Sequence, residues 1–173
     1  MKQIPDSNSA HVPQPERPRP GGKVRVLVVD DSPDFLSQAM GFLAELEGVE
    51  LAGAASSGPL ALELLERGDA DLVLMDLAMP EMNGLEATRL IVDRSEPPLV
   101  VIVSMHDDAG SRVAALEAGA RGFIPKSELV ESLPVLLDEL FPEARARARS
   151  SGRSSFGWSL PRLVLEGTGG GEA

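Results

Sequence analysis

The chain has 173 residues, a formal net charge of −11, no cysteine and only two histidines, His11 and His106. That excludes disulfides and thiolate metal sites, and leaves no credible zinc cluster or Ser-His-Asp triad. No run of about 18 apolar residues spans a membrane, and no apolar core of about 7–15 residues makes a signal peptide, so a cytoplasmic location is expected. The charge is unevenly spread: residues 24–142 hold 22 of the 27 acids and 7 of the 16 bases. An acidic centre is poorly suited to gripping phosphate backbones, and suits a divalent cation or a basic partner.

Residues 1–23 carry five prolines and almost no apolar side chains, which predicts a disordered arm. Val24 to Val29 is apolar apart from Arg25 and reads as a central parallel strand ending on Asp30-Asp31. Ser32-Pro33 is an N-cap with proline at the first helical position. Apolar residues then recur at helical spacing from Phe35 to Leu46, with Gly48 as the stop. A second strand, Val49 to Ala55, precedes a helix that Ser57-Gly58-Pro59 starts and Gly68 stops.

A third apolar run ends on Asp76, and Pro80, Asn83 and Gly84 break it. A helix from about Gly84 to Asp93 follows, then a fourth strand, Leu99 to Val103, ending on Ser104. Asp107 to Gly119 reads as a helix, and Phe123-Ile124 as the core of a short fifth strand ending on Lys126. Ser127 is the expected cap of a last helix running to Leu140, despite Pro134. Residues 142–173 are expected to be a flexible extension. Glu143 to Arg149, with Arg145, Arg147 and Arg149, reads as either a continuation of the last helix or a basic tail, a Ser/Gly-rich stretch follows, and an apolar patch runs from Phe156 to Leu165. They contain no helix-turn-helix pattern, and no direct nucleic-acid binding is expected.

Five strands alternating with helices predict an α/β domain over residues 24–141, a parallel sheet with helices on both faces. Ligands in such a sheet bind beyond the carboxyl ends of the strands, which is where Asp30, Asp31, Asp76, Ser104 and Lys126 fall. An aspartate at a strand end usually only caps a turn. Four apolar runs ending in functional groups make a constellation. Three carboxylates at one rim either raise a pKa or collect a cation, and oxygen ligands without cysteine or histidine point to Mg²⁺. Lys126 and Ser104 can meet an incoming anion, so the set suits phosphoryl transfer onto Asp76.

These residues, in order, resemble the receiver domain of two-component response regulators. The resemblance rests on Asp30-Asp31, on Asp76 in Met-Asp-Leu-Ala-Met-Pro-Glu-Met-Asn-Gly, and on Ser104, Phe123 and Lys126. It implies a flavodoxin-like fold with strand order 2-1-3-4-5, and a bacterial phosphorelay role in which Asp76 accepts a phosphoryl group from a sensor histidine kinase or phosphotransfer protein. It further implies that Asp31 and Asp76 hold Mg²⁺ directly, Asp30 through water, and Ala78 through its backbone carbonyl. Ser104 and Phe123 would be the switch pair, and Lys126 would pair with a phosphoryl oxygen. Output would pass through the surface of the fourth helix, fifth strand and fifth helix to an unidentified protein effector or a phosphorylation-dependent homodimer. The stretch from Met79 to Thr88 resembles regulators that usually carry a helix-turn-helix output domain.

The expectation is a stand-alone receiver that catalyses only its own phosphorylation and dephosphorylation. An adaptor of the same fold that binds its partner constitutively is the alternative. A phosphohydrolase with an aspartyl nucleophile ranks lower, because its typical second acid, two residues on, is here Ala78.

Overall fold

The computed structural model describes residues 22–151. Strands β1 (Val24–Val29), β2 (Val49–Ala55), β3 (Leu72–Asp76), β4 (Leu99–Ser104) and β5 (Gly122–Pro125) alternate with helices α1 (Pro33–Glu45), α2 (Gly58–Arg67), α3 (Gly84–Val92), α4 (Ala109–Glu117) and α5 (Leu129–Leu140). A sixth helix, α6, follows at Pro142–Ser151. The strands form one sheet in the order β2-β1-β3-β4-β5, and every pairing is parallel.

The central strands are apolar on both faces because helices cover both. Val24, Val26 and Val28 of β1, with Leu72 and Leu74 of β3, pack into one core with Ala39 and Leu43 of α1 and Leu133 and Leu137 of α5. Leu27, Val29, Val73 and Met75 point the other way, towards Ala61 of α2, Ala87 and Ile91 of α3 and Ala115 of α4. Period-two alternation within one continuous apolar run is what a doubly covered parallel sheet requires.

The helix starts follow local chemistry. Ser32 Oγ accepts from the Phe35 N–H, Ser57 Oγ from the Leu60 N–H and Asp108 Oδ1 from the Ser111 N–H. Asn83 and Glu86 form a reciprocal capping box on α3. The last helix starts differently from expectation. Lys126–Glu128 form a 3-10 turn, α5 begins at Leu129, and no side chain caps it, so Ser127 is not the cap.

The expected boundary at residue 141 also needs correction. Residues 142–151, read as the start of a flexible extension, are helical, with Ala144 and Arg145 buried. Arg145 Nε donates to Asp138 Oδ1 of α5 at 2.9 Å, and its Nη1 donates to the Glu47 carbonyl. Arg149 donates to the other Asp138 oxygen at 2.6 Å. Two of the arginines that suggested a loose basic tail, Arg145 and Arg149, hold α6 down. The rest of that extension, with its Phe156–Leu165 patch, and residues 1–21 of the proline-rich arm lie outside the described residues. Among the described residues no helix is long and apolar enough to cross a membrane.

Candidate functional site

Successive strands lie on opposite sides of β1: the chain moves to β2 on one side and returns to β3 on the other. The crevice at this reversal lies beyond the carboxyl ends of β1 and β3. Asp30-Asp31 follow β1 and Asp76 ends β3, so the acids flank it. Asp30 and Asp76 are buried while Asp31 is exposed, and the three offer carboxylate oxygens all within 4.8 Å of one another.

Lys126 comes to the same point from the end of β5. Its Nζ lies 2.6 Å from Asp30 Oδ2 and 2.9 Å from Asp76 Oδ1, with the side chain 11% exposed. The ammonium also sits 4.5 Å from the centroid of the Phe35 ring, which walls it from solvent. Burial disfavours the Lys126 ammonium, but hydrogen bonds to Asp30 and Asp76 and their charge outweigh that, and its pKa is raised. Burial also pushes the Asp30 carboxyl up, reinforced by the charge of Asp76 and opposed by Lys126 and the Ser32 N–H.

The remaining oxygens are unevenly satisfied. Asp30 Oδ1 accepts from the Ser32 N–H at 2.9 Å, and Asp76 Oδ2 from the Ala78 N–H at 3.0 Å. Asp30 Oδ2 is buried without a well-oriented hydrogen-bond donor, the off-axis Lys126 ammonium being its ion-pair partner. Three carboxylates against one ammonium leave two formal negative charges. An all-oxygen donor set with that surplus fits a hard divalent cation such as Mg²⁺.

Ser104 ends β4 one residue beyond Val103, the register partner of Asp76. It is buried, and its Oγ accepts from the His106 N–H at 3.0 Å. Phe123 pairs with Ile102, is half-buried, and carries the Arg112 guanidinium 4.9 Å from its ring centroid. Asp30, Asp31, Asp76 and Lys126 are thus drawn into one cluster, whereas Ser104 and Phe123 are held by other partners.

Residues 26–137 match the response regulator receiver domain. The chain belongs to that family. Over 105 residues the receiver is 42% identical to a protein-glutamate methylesterase/protein-glutamine glutaminase of Alkalilimnicola ehrlichii, an alignment covering 60% of this chain and 27% of the other. Among solved structures, the receiver domain of the response regulator NarL from Mycobacterium tuberculosis superposes with a TM-score of 0.61 at 33% identity, covering 66% of this chain and 96% of that one. The response regulator domain of Thermotoga maritima CheB does so at 0.60 and 31%, covering 72% and 97%. The chain spans about a quarter to three fifths of the length of the curated relatives it matches.

Gly84, read from the sequence as a breaker and helix start, has a further role beside the receiver site, and Thr88 and Phe35 carry little signal in the sequence. A Cβ on Gly84 would stand 2.0 Å from the Asp76 carbonyl oxygen, so the glycine lets the β3–α3 loop fold back beneath the acid. Thr88 is buried and donates to the Gly84 carbonyl at 2.6 Å, fixing the same turn. Phe35 reads as one more apolar position of α1, and only the fold reveals its place over Lys126.

Proposed function

We propose that this receiver is a phosphorylation-controlled signalling switch with Asp76 as phosphoacceptor. The observation that carries the reading is the Lys126 ammonium between two buried carboxylates, beside a third that is exposed. Lys126 pairs with Asp76 in a largely buried crevice, and the exposed Asp31 leaves one side open to a donor. A carboxylate oxygen of Asp76 attacks phosphorus. The new P–O bond forms as the P–N bond to the donor histidine of a kinase or phosphotransfer protein breaks, and the imidazole takes up a proton as it leaves.

Asp31 and Asp76 would hold Mg²⁺ directly, Asp30 through water, and Ala78 through its backbone carbonyl. When bound, Mg²⁺ supplies positive charge to the equatorial oxygens, where phosphoryl transfer most needs it. Lys126 pairs with a phosphoryl oxygen, Ser104 turns to another, and Phe123 moves inward behind it. The surface of α4, β5 and α5 then changes shape for a protein effector or a second receiver. In this reading the chain catalyses only its own phosphorylation and dephosphorylation.

Intact-protein mass after incubation with acetyl phosphate tests it. A gain of one phosphoryl group is expected that requires Mg²⁺ and is lost in Asp76→Asn. Met105, 75% exposed beside Ser104, could screen the donor, so Met105→Ala is run alongside. No gain in either protein would reject the switch and favour a constitutive adaptor.

A further inference from the structure

Ser104 and Phe123 lie on neighbouring strands and have no partner in common, yet one side chain connects the structures that hold them. Arg112, in the first turns of α4, donates from Nε to Asp107 Oδ1 at 2.6 Å. Asp107 belongs to the short loop that leaves β4 at Ser104. Within that loop the His106 N–H donates to Ser104 Oγ at 3.0 Å, tying down the hydroxyl that would meet a phosphoryl group. The same guanidinium lies 4.9 Å from the Phe123 ring centroid.

We infer that Arg112 is a positioning residue of the switch, a brace that holds the Ser104 loop and the Phe123 ring in their unphosphorylated places together. This rests on the reading of Asp76 as phosphoacceptor. Its physical basis is an attraction between a cation and an aromatic face, joined to an ion pair that fixes where the cation sits. Turning Ser104 towards Asp76 releases the His106 N–H and disturbs the loop that anchors Arg112. Carrying Phe123 inward strips the ring from the guanidinium. Each movement therefore weakens a contact that restrains the other, so the two tend to occur together.

A merely decorative surface pair would do none of this. Arg112 and Asp107 are 44% and 42% exposed, and an ion pair at that exposure contributes little to stability. For the same reason, substitutions there leave the fold intact and can be read for their effect on the switch.

The test uses the full chain and beryllofluoride with Mg²⁺ as the phosphoryl mimic. Apparent affinity is measured by titration, and the Phe123 ring is followed by aromatic NMR, its resonance identified by its loss in Phe123→Leu. Arg112→Met is expected to bind beryllofluoride about two- to fivefold more tightly, the effect of one exposed cation–aromatic contact. Its ring resonance should move, without ligand, part of the way to the bound position. Arg112→Lys should restore much of the wild-type behaviour, and Asp107→Asn should shift affinity in the same direction by less. In the Phe123→Leu background, Arg112→Met should have little further effect. A wild-type protein that ignores beryllofluoride would overturn the phosphoacceptor reading and the brace with it. If the wild type responds while Arg112→Met leaves affinity and ring unchanged, the brace alone is overturned.

Discussion

The two ends of the sheet handle charge in opposite ways. Beyond the carboxyl ends of the strands, Asp30, Asp31 and Asp76 share one ammonium, which leaves a surplus of negative charge. At the other end, Arg145 is buried with a carboxylate and a backbone carbonyl both engaged, and Arg149 takes the second oxygen of Asp138. The first arrangement is short of positive charge and the second is saturated with it. An unbalanced buried cluster costs stability and is retained where something is to be bound, whereas a satisfied one serves only to hold helices together.

Breaking the saturated end should have the largest effect. Arg145→Met keeps much of the side chain's apolar bulk but strands the Glu47 carbonyl and half-frees Asp138. Loss of hydrogen bonds to a charged group predicts destabilisation of about 2 kcal/mol, read from the urea midpoint. Arg67→Met, which removes an exposed pair with Glu63, should cost at most about 0.5 kcal/mol. If the two variants unfold together, α6 contributes nothing to the domain and the contrast between the ends fails.

The site end should respond with the opposite sign, most clearly in pH. In EDTA, Asp30→Asn removes a charge that burial disfavours, and should stabilise the protein by about 1 kcal/mol at neutral pH while weakening Mg²⁺ binding. Because burial raises the folded pKa of Asp30, its contribution to stability is fully present below the usual 3.8 and is lost as pH rises through the folded value. The Asp30→Asn variant should therefore gain on wild type as pH rises across that window. Hydrogen bonds from Arg145, opposed by slight burial and aided by Arg149, lower the pKa of Asp138. Its contribution is present above 3.8 and is lost as pH falls through its folded value, so Asp138→Asn should fall behind wild type as pH rises. Parallel pH profiles for the two variants would contradict the comparison.

The same division explains what could be read from the amino-acid order. Strand-end acids, the lysine and the serine follow from apolar runs that stop on polar residues, a pattern local in the chain. The parallel sheet follows because each run is too apolar to face water on either side. The partners of Arg145 were not legible: Glu47 is 98 residues away, and alternating Ala-Arg, with no apolar stripe, left both a helix and a loose tail open. Arg112 was opaque for a similar reason, since its helix starts after Asp108 and meets Phe123 only through the β4–β5 pairing. Ser127 misled because a 3-10 turn, which places Lys126 against the acids, takes up the residues that would have formed a capped start.

Backbone strain is the smallest and most local expression of the contrast. Among the described residues three have positive φ, and two of them lie at opposite ends of the sheet: Gly48 at φ +74°, before β2, and Glu81 at φ +66°, after β3. Gly48 adopts its conformation without penalty, and its missing side chain makes room for Ala148, whose Cβ would be 2.7 Å from a Cβ at this position. Glu81 has no such excuse. It is exposed, and it sits where Met82 N–H donates to the Pro80 carbonyl at 2.7 Å in a tight turn beside the acids. A left-handed residue with a Cβ costs about 1 kcal/mol, of which the greater freedom of glycine in the unfolded chain returns part. Glu81→Gly should thus stabilise the protein by about 0.5 kcal/mol in urea. If the strain serves to hold the β3–α3 loop in position for the site, the same variant should bind Mg²⁺ more weakly despite being more stable. Equal Mg²⁺ affinity would mean that the turn is strained only because Gly84 and the capping box of α3 leave the chain no other path.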